Sequence, residues 1–208
     1  SERTLFIKEL NLDIIPPFND RIYDAKMGGP KLVVIGKPGT GKTTLITSLL
    51  YFKKHIYPVG MVMSGTEDSN GHYGQIFPDS MVHTKLDEKR IEDFISRQKI
   101  ARRHLPVIRT YFYGTCILRE TNLRNRKSLW ENYAGVIPDF SLFCEIMDQI
   151  TDDYTALYIH NATESNKMED CVFWYKADVS KLKGFKMGCE DYWDFHEQRY
   201  NPDSVDNV

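Results

Sequence analysis

Eight residues, Gly36-Lys37-Pro38-Gly39-Thr40-Gly41-Lys42-Thr43, carry the spacing GxxxxGK[ST], and the chemistry open to such a run is the holding of polyphosphate. Glycines let the backbone curl until successive N–H groups converge, and a helix starting at the same point adds its partial positive charge. Lys42 then supplies a point charge for the β- and γ-phosphates, and the Thr43 hydroxyl supplies a ligand for magnesium bridging them. Thr44 completes the binding stretch. The ligand implied is ATP with magnesium. A chance glycine turn is the plain alternative, and the apolar strand before and helix pattern after the loop argue against it. Lys37 is expected to face solvent, and Pro38 to stiffen the loop.

Binding is not turnover. Hydrolysis also needs a carboxylate at the end of a neighbouring strand to hold the metal or orient water. The candidates are Glu67 and Asp68, after one apolar run, and Glu120, after another; each also reads as an ordinary loop or surface acid. Arg119, at a strand end, could act across a subunit boundary on the charge of phosphoryl transfer. Two basic groups, Arg97, Lys99, Arg102, Arg103 and His104, and Arg119, Arg124, Arg126 and Lys127, could track a phosphate backbone without reading sequence, or be solvated helix faces.

Positioning this chemistry takes alternating strands and helices. Lys31 to Ile35 is a short β-branched run that predicts a fully buried parallel strand, and Thr44 to Tyr51 carries helical spacing. Val59 to Met63 predicts a second strand, and Ser64 to Gly74 a loop. Asp87 to Arg103 predicts a helix with Ile91, Phe94 and Ile95 on one stripe, acidic early and basic late. Further strands are expected at Thr110 to Leu118, Thr155 to Ile159 and Cys171 to Tyr175, with helices at Leu123 to Tyr133 and Asp139 to Ile150. Residues 1–30, with the pair Pro16 and Pro17 and the lead-in Met27-Gly28-Gly29-Pro30, form an expected N-terminal extension packed on a single domain at 31–200. Residues 201–208 read as a frayed tail.

With 208 residues the chain can bury a substantial core, and a net charge of −2 excludes a uniformly basic coat, so any nucleic-acid contact must be local. Four scattered cysteines lack zinc spacing and read as reduced thiols, and the histidines form no HExxH pair. No apolar run reaches membrane-spanning length and no signal-peptide pattern opens the chain, so a soluble, cytoplasmic protein is expected.

Beyond the phosphate loop, four segments are distinctive: Ser64-Gly65-Thr66-Glu67-Asp68-Ser69-Asn70, Ile117-Leu118-Arg119-Glu120-Thr121-Asn122, Asn125 to Gly135, and Cys171 to Asp178. Together they resemble the genome-packaging ATPases of nucleocytoplasmic large DNA viruses, which are of the FtsK/HerA type, over roughly Ile7 to Phe195. The resemblance implies an α/β P-loop NTPase of the additional-strand class, a mostly parallel sheet flanked by helices. It implies a homo-oligomeric ring that hydrolyses ATP and drives double-stranded DNA, without sequence preference, into a viral capsid through a packaging vertex. The setting would be host cytoplasm or viral factory, or the virion. Arg119, acting in trans, is the position carried over; Lys42 and Glu67 are the other catalytic candidates, Glu67 lying in a family-like segment that does not by itself fix its role.

One departure stands out. The family places an apolar strand ending in paired aspartates and then a sensor strand before the segment that here begins near Pro106, and this chain has no room for either. The fold is thus expected to be truncated, with some other strand closing the gap. A hydrolysis-impaired relative acting as an assembly or regulatory subunit, and a P-loop small-molecule kinase, are the alternatives.

Overall fold

The structure is a computed structural model, described here for residues 6–15, 30–54, 57–101, 111–182 and 184–199. In chain order its elements are β1 (Lys8–Glu9), β2 (Pro30–Ile35), α1 (Lys42–Lys53), β3 (Val62–Met63), α2 (Glu67–Asn70), β4 (Val82–His83) and α3 (Glu88–Ala101). They continue with β5 (Tyr111–Ile117), α4 (Leu123–Tyr133), α5 (Phe140–Ile150), β6 (Thr155–His160), α6 (Met168–Cys171), β7 (Val172–Lys176) and α7 (Glu190–Arg199). The chain divides into two compact units. One holds the described residues up to Ser48 and from Tyr111 to Val179; the other holds those from Leu49 to Ala101 and from Ser180 to Arg199.

The first unit is an α/β layer built on a five-stranded sheet of order β1-β7-β6-β5-β2. Its sense is mixed, which corrects the mostly parallel sheet expected: β2 and β5 are parallel, as are β1 and β7, but β6 runs antiparallel to both its neighbours. The physical reason lies in the connections. From β5 to β6 the chain returns through the α4–α5 helical hairpin, whose facing apolar residues cover one side of β5, β6 and β7. Phe143, Ile146, Met147, Ile117, Leu157 and Ile159 are fully buried there. Each such side chain contributes roughly 1.5–3 kcal/mol by leaving water. Caps fix where these helices start: Asn122 accepts from Arg124 N and Asn125 N, and Asp139 accepts from Leu142 N. A buried hydrogen bond of 2.7 Å between Ser48 and Tyr175 ties α1 to β7.

Among the described residues β2 pairs only with β5, so it forms an edge of the sheet. Leu32, Val33, Val34 and Ile35 are consequently half-buried, not fully buried as their β-branched run predicts. The described part of the expected N-terminal extension enters the sheet itself through β1, with Leu10 and Ile15 buried. Pro16, Pro17, the Met27 to Gly29 lead-in, Arg102 to His104, the junction near Pro106 and the expected tail at 201–208 lie outside the described residues.

The second unit pairs β3 with β4 in parallel and gathers Ile76, Phe77, Phe185 and Met187 into its own small core. Tyr192 on α7 donates to Gly60 O at 2.5 Å. The strand expected at 59–63 shrinks to two residues, and the loop expected at 64–74 contains the single turn α2. On α3, Ile91 and Phe94 are half-buried while Ile95 is 46% exposed, so the apolar stripe is narrower than the spacing suggests.

Candidate functional site

Because β2 and β5 are parallel with Ile35 opposite Ile117, their carboxyl ends emerge together, and the loops that follow meet there. This is where ligands settle on open α/β sheets. Gly36 to Gly41 forms a tight loop. Gly39 and Gly41 take positive φ values of 79° and 93°, a region side-chain-bearing residues enter only with strain. At Gly36 the demand is for space: a Cβ would come within 2.6 Å of Thr40 Oγ1 and 2.9 Å of Leu118 Cβ.

Lys42 sits at the first position of α1 and turns back into the loop. Its ammonium donates to Gly36 O at 2.6 Å and Lys37 O at 2.8 Å, so the loop wraps the charge that a polyphosphate would meet. Thr40 Oγ1 donates to the same Lys37 carbonyl at 2.7 Å. Thr43 is exposed and Thr44 half-buried beside it, in the helical turn whose amides have no intrahelical acceptor. Tight glycines, an inward lysine and these free amides fit a triphosphate, and Thr43 could hold a magnesium ion whose remaining ligands come from phosphate and water. Among the described residues no group of three or more His, Cys, Asp or Glu could hold a metal by itself.

Lys37 does not simply face solvent. Its ammonium lies 2.6 Å from Glu120 Oε1. Glu120, almost fully buried, also accepts from Asn122 N at 2.7 Å and Asn125 Nδ2 at 3.0 Å. Burial pushes its carboxyl up, but the bonds from Lys37, Asn122 and Asn125 together outweigh that and hold it at about 2. The carboxylate bonded to the glycine-rich loop is thus Glu120, locked and ionised, a poor proton acceptor. A cavity of about 300 Å³ opens between loop and α4, lined by Ile35, Gly36, Lys37, Leu118, Glu120 and Asn125 among others.

Glu67 lies in the second unit at the start of α2. It is 9% exposed; Oε1 accepts from Gly74 N at 2.8 Å, and Oε2 has no hydrogen-bond partner among the described residues. A buried carboxylate oxygen left without a donor is costly unless something else engages it. Arg119 is partly exposed, its guanidinium 3.9 Å from Asp148. Arg126 leaves the proposed basic face altogether: it is buried, forks onto Asp148 at 2.5 and 3.2 Å, and donates to Glu120 O at 2.6 Å. Arg124 and Lys127 remain exposed.

His160 lies at the end of β6 that points away from the loop. As β6 is antiparallel, His160 pairs with Gly114, midway along β5, and it is the beginning of β6 that comes to the loop. That brings in Tyr154, which motif reasoning missed: a Cβ on Gly41 would come within 3.2 Å of Tyr154 Cδ1. Only the turn's unusual backbone marks it, and no side-chain pattern in the sequence signals that.

Fold and site define an α/β protein with a glycine-rich, lysine-centred loop at a strand-to-helix junction. The chain is 39% identical to the uncharacterized protein 088R of Invertebrate iridescent virus 3, over 92% of this chain and 93% of the relative. It is also 39% identical to the uncharacterized protein 075L of Invertebrate iridescent virus 6, over 94% and 95%, and 29% identical to the uncharacterized protein 015R of Frog virus 3, over 91% and 74%. It belongs to the family of these iridescent virus proteins. No family model matches the chain. No solved structure matches it either.

Proposed function

We propose that this chain binds ATP with magnesium through Gly36 to Thr44 and is a subunit of a viral genome-packaging ATPase of the FtsK/HerA type. The observation that carries the reading is the loop itself: three glycines in positions that need glycine, closed around an inward-turned Lys42. The viral relatives support the setting, and the resemblance of the four segments supports the class. In this reading the amides of the first turn of α1 cradle the phosphates, and Lys42 exchanges its two carbonyl acceptors for phosphate oxygens. Bound magnesium would neutralise phosphate charge, with Thr43 as its protein ligand. Arg119 is the cation available to a neighbouring subunit, and Glu67, in the second unit, keeps one carboxylate oxygen without a hydrogen-bond partner among the described residues. Double-stranded DNA, a homo-oligomeric ring, a capsid vertex and the host cytoplasm or viral factory complete the proposal.

A second reading is favoured by one feature, the free edge of β2. Among the described residues no strand lies on that side to carry a metal-holding carboxylate. This points to a chain that binds nucleotide with impaired hydrolysis, serving assembly or regulation. Steady-state phosphate release with and without duplex DNA separates the two. Turnover that DNA stimulates and Lys42→Ala abolishes supports the motor; saturable ATP binding without turnover supports the second reading; turnover indifferent to Lys42→Ala removes the motor.

A further inference from the structure

We propose that Tyr154 is the nucleobase platform of this site, its ring stacking on the base of a nucleotide whose phosphates occupy the loop. The inference rests on the reading that the loop binds a nucleoside triphosphate, and it adds a part that the phosphate motif does not contain.

Topology brings the residue there. β6 runs antiparallel to β5, so its first residues lie beside the carboxyl ends of β5 and β2, and Tyr154 immediately precedes it. The ring stands against the loop, near enough that a Cβ at Gly41 would meet its Cδ1 at 3.2 Å and its Cγ at 3.8 Å.

The backbone says that the tyrosine is not there for the turn's sake. Thr155 N donates to Asp152 O at 3.0 Å, and the two residues between, Asp153 and Tyr154, have φ of 47° and 60°. Two consecutive positive φ values define a turn that favours asparagine or aspartate first and glycine second. Aspartate suits the first place, where it also pairs with Lys176. A large aromatic residue in the second place is strained, and strain of this kind gathers at ligand sites. Nor is packing the reason, since Tyr154 remains 65% exposed. The face left open is a flat aromatic surface beside a phosphate cradle, held by a fixed turn, and a base can stack on it with little ordering cost. Stacking tolerates any base, so purines should exceed pyrimidines modestly and ATP and GTP should differ little.

The test titrates the full chain calorimetrically with ATP and with inorganic tripolyphosphate, both at one magnesium concentration, comparing wild type with Tyr154→Asn and Tyr154→Trp. Tyr154→Asn relieves the turn, so its melting temperature should hold or rise while ATP affinity falls about 5- to 100-fold. Tripolyphosphate affinity should change less than twofold, and Tyr154→Trp should retain ATP binding. Equal losses for both ligands, or no loss for ATP, overturn the platform. Should wild type take up neither ligand, the phosphate-loop reading fails first and the platform with it. Wild-type binding of tripolyphosphate as tight as that of ATP would reject the platform alone.

Discussion

Lys37 and Glu120 are joined by a 2.6 Å ion pair across the seam where β2 and β5 end side by side. Through it the glycine-rich loop is fastened to the start of α4, because Glu120 also accepts from Asn122 N and Asn125 Nδ2. Folding holds this carboxyl at about 2, below its ordinary 4.5. Its contribution is therefore complete above about pH 4.5 and is lost as pH falls towards 2. Glu120→Gln should lower stability by about 1–3 kcal/mol at pH 7 and flatten the loss of stability between pH 5 and 3. Urea unfolding across that range checks it; parallel pH profiles for variant and wild type would contradict it.

Gly36→Ala tests whether the loop needs its tight start. The added methyl group would meet Thr40 Oγ1 and Leu118 Cβ inside contact distance, so the loop must open. ATP affinity should drop at least about tenfold, on the order of 1.4 kcal/mol or more, with the far-ultraviolet spectrum unchanged. An affinity equal to wild type would show that the curl is not what binds.

Among the described residues no strand pairs with the outer side of Leu32 to Ile35, and such an edge should recruit other strands. Sedimentation velocity should show association of the wild-type chain that rises with concentration, reduced several-fold by Val33→Lys. A wild-type chain that stays monomeric throughout would contradict the account of the edge.

Much of this was readable from residue types. The glycine-rich loop, the strand before it and the helices over Leu123 to Tyr133 and Asp139 to Ile150 announce themselves by glycine spacing, β-branching and helical period, and the structure places them within one or two residues. What the chain did not disclose has physical reasons. β1 is two residues long and carries no periodicity, and α7 has charged residues on most of its surface. The direction of β6 depends on the hairpin before it, which hydrophobic pattern does not encode, so Tyr154 went unnoticed. Lys37 and Arg126 looked like surface charges because their partners, Glu120 and Asp148, are brought to them only by folding.

The most direct measurement is a calorimetric titration of ATP with magnesium into the intact chain and into Lys42→Ala. The account predicts saturable binding to one site per chain, weakened at least about tenfold when the ammonium is removed. An intact chain that takes up no ATP at any magnesium concentration, or one that binds it equally well without Lys42, would contradict the central claim.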